Sequence, residues 1–130
     1  MDETSPQGLP NPYGYGEMDW VARLDPAYTQ ARDVLRQLSV GEGGVLPVKV
    51  KEMVVIGVLA AHGLQYAVEA HMRRAVQHGA TRAELFEAIK AAALPGGGVA
   101  YSIGMRALKC LEEEGTFGLA QPAGTTDTQS

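Results

Sequence analysis

The sequence predicts an all-α fold of about five main helices. Three observations carry this reading. Apolar residues recur three and four apart through the middle of the chain, as in Leu64, Ala67, Val68, Met72, Ala75 and Val76, and again in Leu85, Ala88, Ile89 and Ala92. Helix start and stop signals bracket those runs. No segment reads as a strand, and no internal repeat is visible.

The elements follow in order. Residues 1–16 carry Pro6, Pro10, Pro12, Gly8, Gly14 and Gly16, which predicts a Gly/Pro-rich N-terminal arm rather than a helix. Tyr13 and Tyr15 leave two readings of that arm open, an anchor laid across a neighbouring subunit or a frayed terminus. The helical domain is expected over residues 17–117. Asp25 before Pro26 is a cap followed by proline at the first helical position, and it opens a helix to about Leu38. Val40 to Leu46 holds three glycines and reads as a loop. Pro47 opens the second helix, to about Ala61. From Met53 onward that helix is apolar on every side, so it is expected to be the central and most buried one, with Ile56, Leu59 and Ala60 in the core. His62-Gly63 breaks it. A third helix runs from near Leu64 to Gly79, a suitable left-handed cap. Thr81-Arg82-Ala83-Glu84 is a capping box that starts the fourth helix, which continues to Leu94. Pro95-Gly96-Gly97-Gly98 predicts a stop, and a fifth helix follows from Val99 to Glu114. Residues 118–130 read as a flexible tail.

Composition narrows the function classes. A chain of 130 residues has room for one domain with a real core. A net charge of -4 argues against a nucleic-acid partner, which calls for a basic surface. One cysteine, Cys110, can form neither an internal disulfide nor a Cys-x-x-Cys pair, and this is compatible with a reducing compartment. No basic-then-apolar leader opens the chain. The longest apolar run, Met53 to Ala61, is too short to span a bilayer. These features together predict a cytoplasmic protein without membrane contact.

The stretch from Glu52 to Ala80 carries a more specific signal. A Glu stands near the head of an apolar helix, Leu64 follows twelve residues later, Ala67 three after that, and His71 four further on. L-P-V-K-V-K-E precedes the apolar run, G-A-T follows the His, and G-G-G precedes the last helix. In order and spacing this resembles the alkylhydroperoxidase-D-like and carboxymuconolactone decarboxylase family, over about Asp19 to Glu114. In the peroxidase branch two cysteines occupy the places held here by Leu64 and Ala67. The resemblance implies a helical, oligomeric fold, assembled as a homo-trimer or homo-hexamer. It also implies that Glu52 and His71 are the acid–base pair of a site that has lost its thiols.

Each candidate has a plainer reading beside it. Glu52 by position alone reads as a carboxylate placed for the helix dipole, and the family spacing turns it into an acid–base residue at a pocket mouth. His71 lies within the apolar stripe of the third helix, where a lone histidine is usually a satisfied core residue. It shares that face with Leu64 and Ala67, the expected substrate-binding wall, and imidazole is the side chain suited to moving protons near neutral pH. Lys51, Arg73, Arg74 and Arg106 are cations that could hold a carboxylate, and each reads equally as a surface charge. Glu52, His62, Glu69 and His71 could supply metal donors on paper, but no His-x3-His pair exists, so no metal is expected. Cys110 reads as a small buried residue.

Two functions of different class remain. The first, implied by the resemblance to the decarboxylase branch of that family, is a cofactor-independent enzyme of proton transfer or decarboxylation on a small carboxylate or lactone, with His71 and Glu52 on opposite sides of the substrate. The alternative is a non-catalytic relic without cysteines that binds a small apolar ligand or a protein partner. A thiol peroxidase is not expected, since the nucleophile is absent.

Overall fold

The computed structural model describes residues 16–118. The expected arm and tail lie, apart from Gly16 and Gly118, outside the described residues. Five helices make up the described chain: α1 (Glu17–Leu24), α2 (Pro26–Val40), α3 (Val48–Ala61), α4 (Gln65–Gln77) and α5 (Arg82–Glu113). No strand occurs among the described residues. None of these helices is long and apolar enough to cross a membrane.

Local chemistry explains most boundaries. The Asp25 side chain accepts from the Tyr28 N–H at 3.0 Å, with Pro26 in the first turn of α2. At the start of α5 the capping box forms in both directions. Thr81 Oγ1 accepts from the Glu84 N–H, and the Glu84 carboxylate accepts from the Thr81 N–H, each at 3.0 Å. Lys49 of α3 donates to the same carboxylate at 2.8 Å, which ties α3 to α5. The Lys49 bond, then the Thr81 N–H, holds the Glu84 carboxyl below its ordinary range. A depressed value in the fold contributes stability above the unfolded value and loses it as pH falls through the folded one.

One element departs from the sequence expectation. The helix α1 was not foreseen, because eight residues are too few to establish a period. The fourth and fifth helices stand as expected: α5 is two helical arms that meet at a kink at Gly97, where the backbone leaves helical geometry. There φ is 73° and ψ is -162°, a conformation open to glycine and strained for any side chain. The chain reverses at this point. An added Cβ at Gly104 would lie 2.4 Å from Ile89 Cδ1, although the two residues would be ~22 Å apart along a straight helix. The two arms of α5 thus lie side by side, as two helices would.

That contact yields a prediction. Gly104→Ala would also place its Cβ 2.6 Å from Ile89 Cγ2, so the arms must separate. It is expected to lower unfolding stability by about 1–3 kcal/mol, as overpacking does. Denaturant melts of Gly104→Ala and of Gly104→Ala with Ile89→Ala check it. The second change should recover part of the loss, and a Gly104→Ala melt equal to wild type would disprove the close approach.

The core sits between α3, α4 and α5. Ile56, Val68, Met72, Leu85, Ile89 and Leu111 are wholly buried in one cluster. On α3 the buried residues are Val48, Glu52, Ile56 and Ala60, a single stripe at steps of four. Leu59 is partly buried against the same cluster. The expectation that α3 is buried all round needs correction within the protomer, since Val54 and Val58 are more than half exposed. They line an apolar groove of about 600 Å³ between α3 and the first arm of α5, with Met53, Gly57, Ala88 and Pro95 among its walls. The α1–α2 hairpin buries none of its residues and leaves Trp20, Leu24, Tyr28, Leu35 and Leu38 exposed.

Candidate active site

The α3–α4 hairpin builds the site. Its turn is His62 to Leu64, with Gly63 at φ 77°. Glu52 stands eleven residues before Gly63 and Arg74 eleven after it, with His71 eight after. Antiparallel packing of the two helices therefore brings these three side chains level with one another. On α4, Leu64, Ala67, His71 and Arg74 follow at steps of three, four and three, so they share one side of the helix.

Glu52 is wholly buried, although it is charged and lies on the core stripe of α3. It occupies the second turn of the helix, so the dipole reading does not describe it. Its partners are side chains. His71 Nδ1 is 2.6 Å from Glu52 Oε1, and the Arg74 guanidinium donates through Nη1 to Glu52 Oε2. The same Nη1 donates to the Val40 carbonyl at 3.3 Å. Burying a carboxylate is costly unless its oxygens have polar partners, and here each oxygen meets a side-chain nitrogen within hydrogen-bond reach. The histidine and arginine side chains are 19% and 16% exposed, so solvent reaches the ring edge while the carboxylate stays dry.

The structure therefore joins Glu52 and His71 directly. The expected gap between them, to be filled by Leu64, a water or substrate, does not exist, because the imidazole and the carboxylate are in direct contact at 2.6 Å. Leu64 is half exposed at the start of α4, two turns or ~10 Å along the axis from His71. Ala67 is partly buried one turn before His71. The apolar groove lies on the opposite side of α3 from Glu52, since Val50 and Val54 are two residues off the Glu52 register.

The four candidate cations separate cleanly. Lys51 donates to the Gly41 carbonyl at 2.7 Å. Arg73 bonds Glu114 at 2.8 Å and Glu69 at 3.4 Å. Arg106 is exposed on α5. Arg74 alone of the four joins the dyad. Sequence reasoning did not assign it, yet the signal was present in its step of three from His71 on one helix face.

The other polar groups form a second cluster. Gln65 donates to the buried Glu69 at 2.9 Å, and Cys110 Sγ is 3.8 Å from the same amide nitrogen. Burial, then the Glu69 carboxylate, pushes the Cys110 thiol up, which disfavours the thiolate. His62 Nδ1 is bonded to the Val58 carbonyl at 3.0 Å and closes α3. Glu69 and His71 project from different sides of α4, so the paper set of metal donors does not converge. Among the described residues no group of three His, Cys, Asp or Glu could hold a metal.

A model of the carboxymuconolactone decarboxylase family matches residues 26–112. No curated protein and no solved structure matches the chain significantly. The match runs from the first residue of α2 almost to the end of α5, so it includes the whole Glu52–His71–Arg74 constellation.

Proposed function

The chain belongs to the carboxymuconolactone decarboxylase family, and from that premise we propose that it is a cofactor-independent enzyme of proton transfer or decarboxylation on a small carboxylate or lactone. One observation carries the reading. A solvent-edged imidazole is hydrogen-bonded through Nδ1 to a wholly buried carboxylate. That arrangement orients the ring and balances the charge it takes on when Nε2 holds a proton. His71 is then the proton-transferring group. Glu52 acts behind it, not across the substrate from it.

The chemistry balances without a cofactor. The bond between the carboxylate carbon and its neighbour breaks, and its electron pair moves into a conjugated carbonyl as carbon dioxide leaves. The resulting enolate carbon takes a proton from His71 Nε2, and the ring regains one from solvent. Leu64 and Ala67, on the His71 side of α4, supply apolar wall for such a substrate. Thiol peroxidase chemistry finds no support, because the chain has one cysteine and burial pushes its thiol up, which disfavours the thiolate nucleophile.

The test is a screen of lactone and β-keto carboxylates for release of carbon dioxide, wild type against His71→Ala. Release by wild type that the variant loses supports the proposal. No release from any of them, or equal release by both proteins, overturns it. The second reading, a non-catalytic protein that binds a small apolar ligand or a partner, draws on the groove between α3 and α5.

Assembly as a trimer or hexamer goes with this proposal, as does a cytoplasmic location. The support for assembly is the α1–α2 hairpin, which exposes Trp20, Leu24 and Tyr28 and buries nothing of its own. An apolar surface of that extent on so small a domain calls for a cover. Light scattering is expected to give three or six times the protomer mass, and a monomer at micromolar concentration would refute it.

A further inference from the structure

We propose that Arg74 is the positioning residue of the Glu52–His71 dyad. By holding Glu52 Oε2 and the Val40 carbonyl at once, it fixes the carboxylate with Oε1 as an acceptor facing His71 Nδ1, and so sets which tautomer the imidazole adopts. The proposal rests on the reading of His71 as the proton-transferring group.

The argument is one of donors and acceptors. A guanidinium can only donate. Arg74 Nη1 carries two hydrogens, and the structure gives it two acceptors, Glu52 Oε2 and Val40 O. Val40 is the last residue of α2, so its carbonyl has no partner within that helix. The arginine is thus anchored to the backbone on one side while it grips the carboxylate on the other. With Oε2 committed to a cation, the carboxylate also accepts at Oε1, which makes His71 Nδ1 the donor. In the neutral ring the lone pair then belongs to Nε2, the nitrogen that must take up and give back the proton.

The neighbouring arginine shows what an ordinary pair looks like here. Arg73 meets Glu114 at 2.8 Å with both side chains about a third exposed, a surface contact of small worth. Arg74 instead meets a carboxylate from which solvent is excluded. Without that cation Oε2 loses its guanidinium donor, and nothing on that side holds Oε1 against Nδ1. Arg74 further ties the dyad to the end of α2, and so to the hairpin whose apolar residues await a cover.

The tautomer can be read directly, without substrate. Long-range proton–nitrogen correlations of 15N-labelled His71 are recorded on the full chain, at a pH where the ring is neutral. Wild type is expected to carry its proton on Nδ1. Glu52→Gln is the sharper variant. Arg74 still demands the oxygen, so the amide must turn its NH2 toward the ring, and the proton should move to Nε2. Arg74→Gln should also move it, and Arg74→Lys, which keeps the cation, should restore Nδ1. If Arg74→Gln fails to fold, the isosteric Glu52→Gln decides. A wild-type ring protonated on Nε2, or a Glu52→Gln ring unchanged from Nδ1, would overturn the assignment. A failed carbon dioxide screen with the expected tautomers would instead remove the enzyme reading and leave Arg74 as the residue that orients the dyad.

Discussion

His71→Ala is expected to reduce turnover of a decarboxylated substrate by roughly 10²-fold or more, the usual worth of a general acid–base group. The loss should fall on kcat, because the imidazole moves a proton in the transition state and is not the main source of binding. The structure adds a cost in stability, since Glu52 Oε1 loses its partner inside a dry site. An unsatisfied buried acceptor costs about 1–3 kcal/mol, which a domain of ordinary stability survives. Glu52→Gln should lower turnover by a similar factor for a different reason, that the ring presents the wrong nitrogen. It too should remain folded with a reduced melting point, because the amide keeps the shape while Arg74 loses its counter-charge. Circular dichroism on each variant separates lost chemistry from lost fold. Equal kcat in wild type and folded His71→Ala would end the catalytic reading.

Ile56→Asp is expected to abolish folding altogether. Ile56 is wholly buried at the middle of α3, in one cluster with Val68, Met72, Leu85 and Ile89. An unpaired carboxylate at that depth costs several kcal/mol beyond the lost apolar burial. The whole stability of such a domain is only about 5–15 kcal/mol. Ile56→Ala calibrates the site, because it leaves a cavity without a charge and should cost about 2–5 kcal/mol. Soluble expression and thermal melts read both. A cooperative melt of Ile56→Asp near that of wild type would show that α3 is not the centre of the core. Glu52 gives the contrast four residues earlier on the same stripe, where a carboxylate is tolerated because two donors meet it.

Much of the architecture was legible because it is written in short-range chemistry. Asp25-Pro26, Thr81 with Glu84, and Gly79 each act within one helical turn, and each boundary stands where those residues put it. The glycine run at 96–98 announced a break, and the structure narrows that break to Gly97. The helix α1 was not legible, since eight residues give no period. The exposed side of α3 was not legible either. An all-apolar helix looks the same whether its own chain or another covers it.

The candidate site divides in the same way. The spacing of Glu52 and His71, read through the family pattern, singled out the pair without stating how they meet. The expected space between them was inferred from the missing sulfur, and the antiparallel packing of α3 on α4 closes it with a 2.6 Å contact. Arg74 could not be told from Lys51, Arg73 or Arg106 by residue type, because every lysine and arginine in a sequence resembles a surface charge. What separates it is burial beside a carboxylate twenty-two positions earlier in the chain. The sequence by itself determined the all-helical class, most helix boundaries and the family, because caps, breakers and periodicity act locally. Only the tertiary structure decided the exposed side of α3, the unburied α1–α2 hairpin and the Arg74–Glu52–His71 chain. Those depend on which helix faces come into contact, and contact between distant residues is set by packing the whole core.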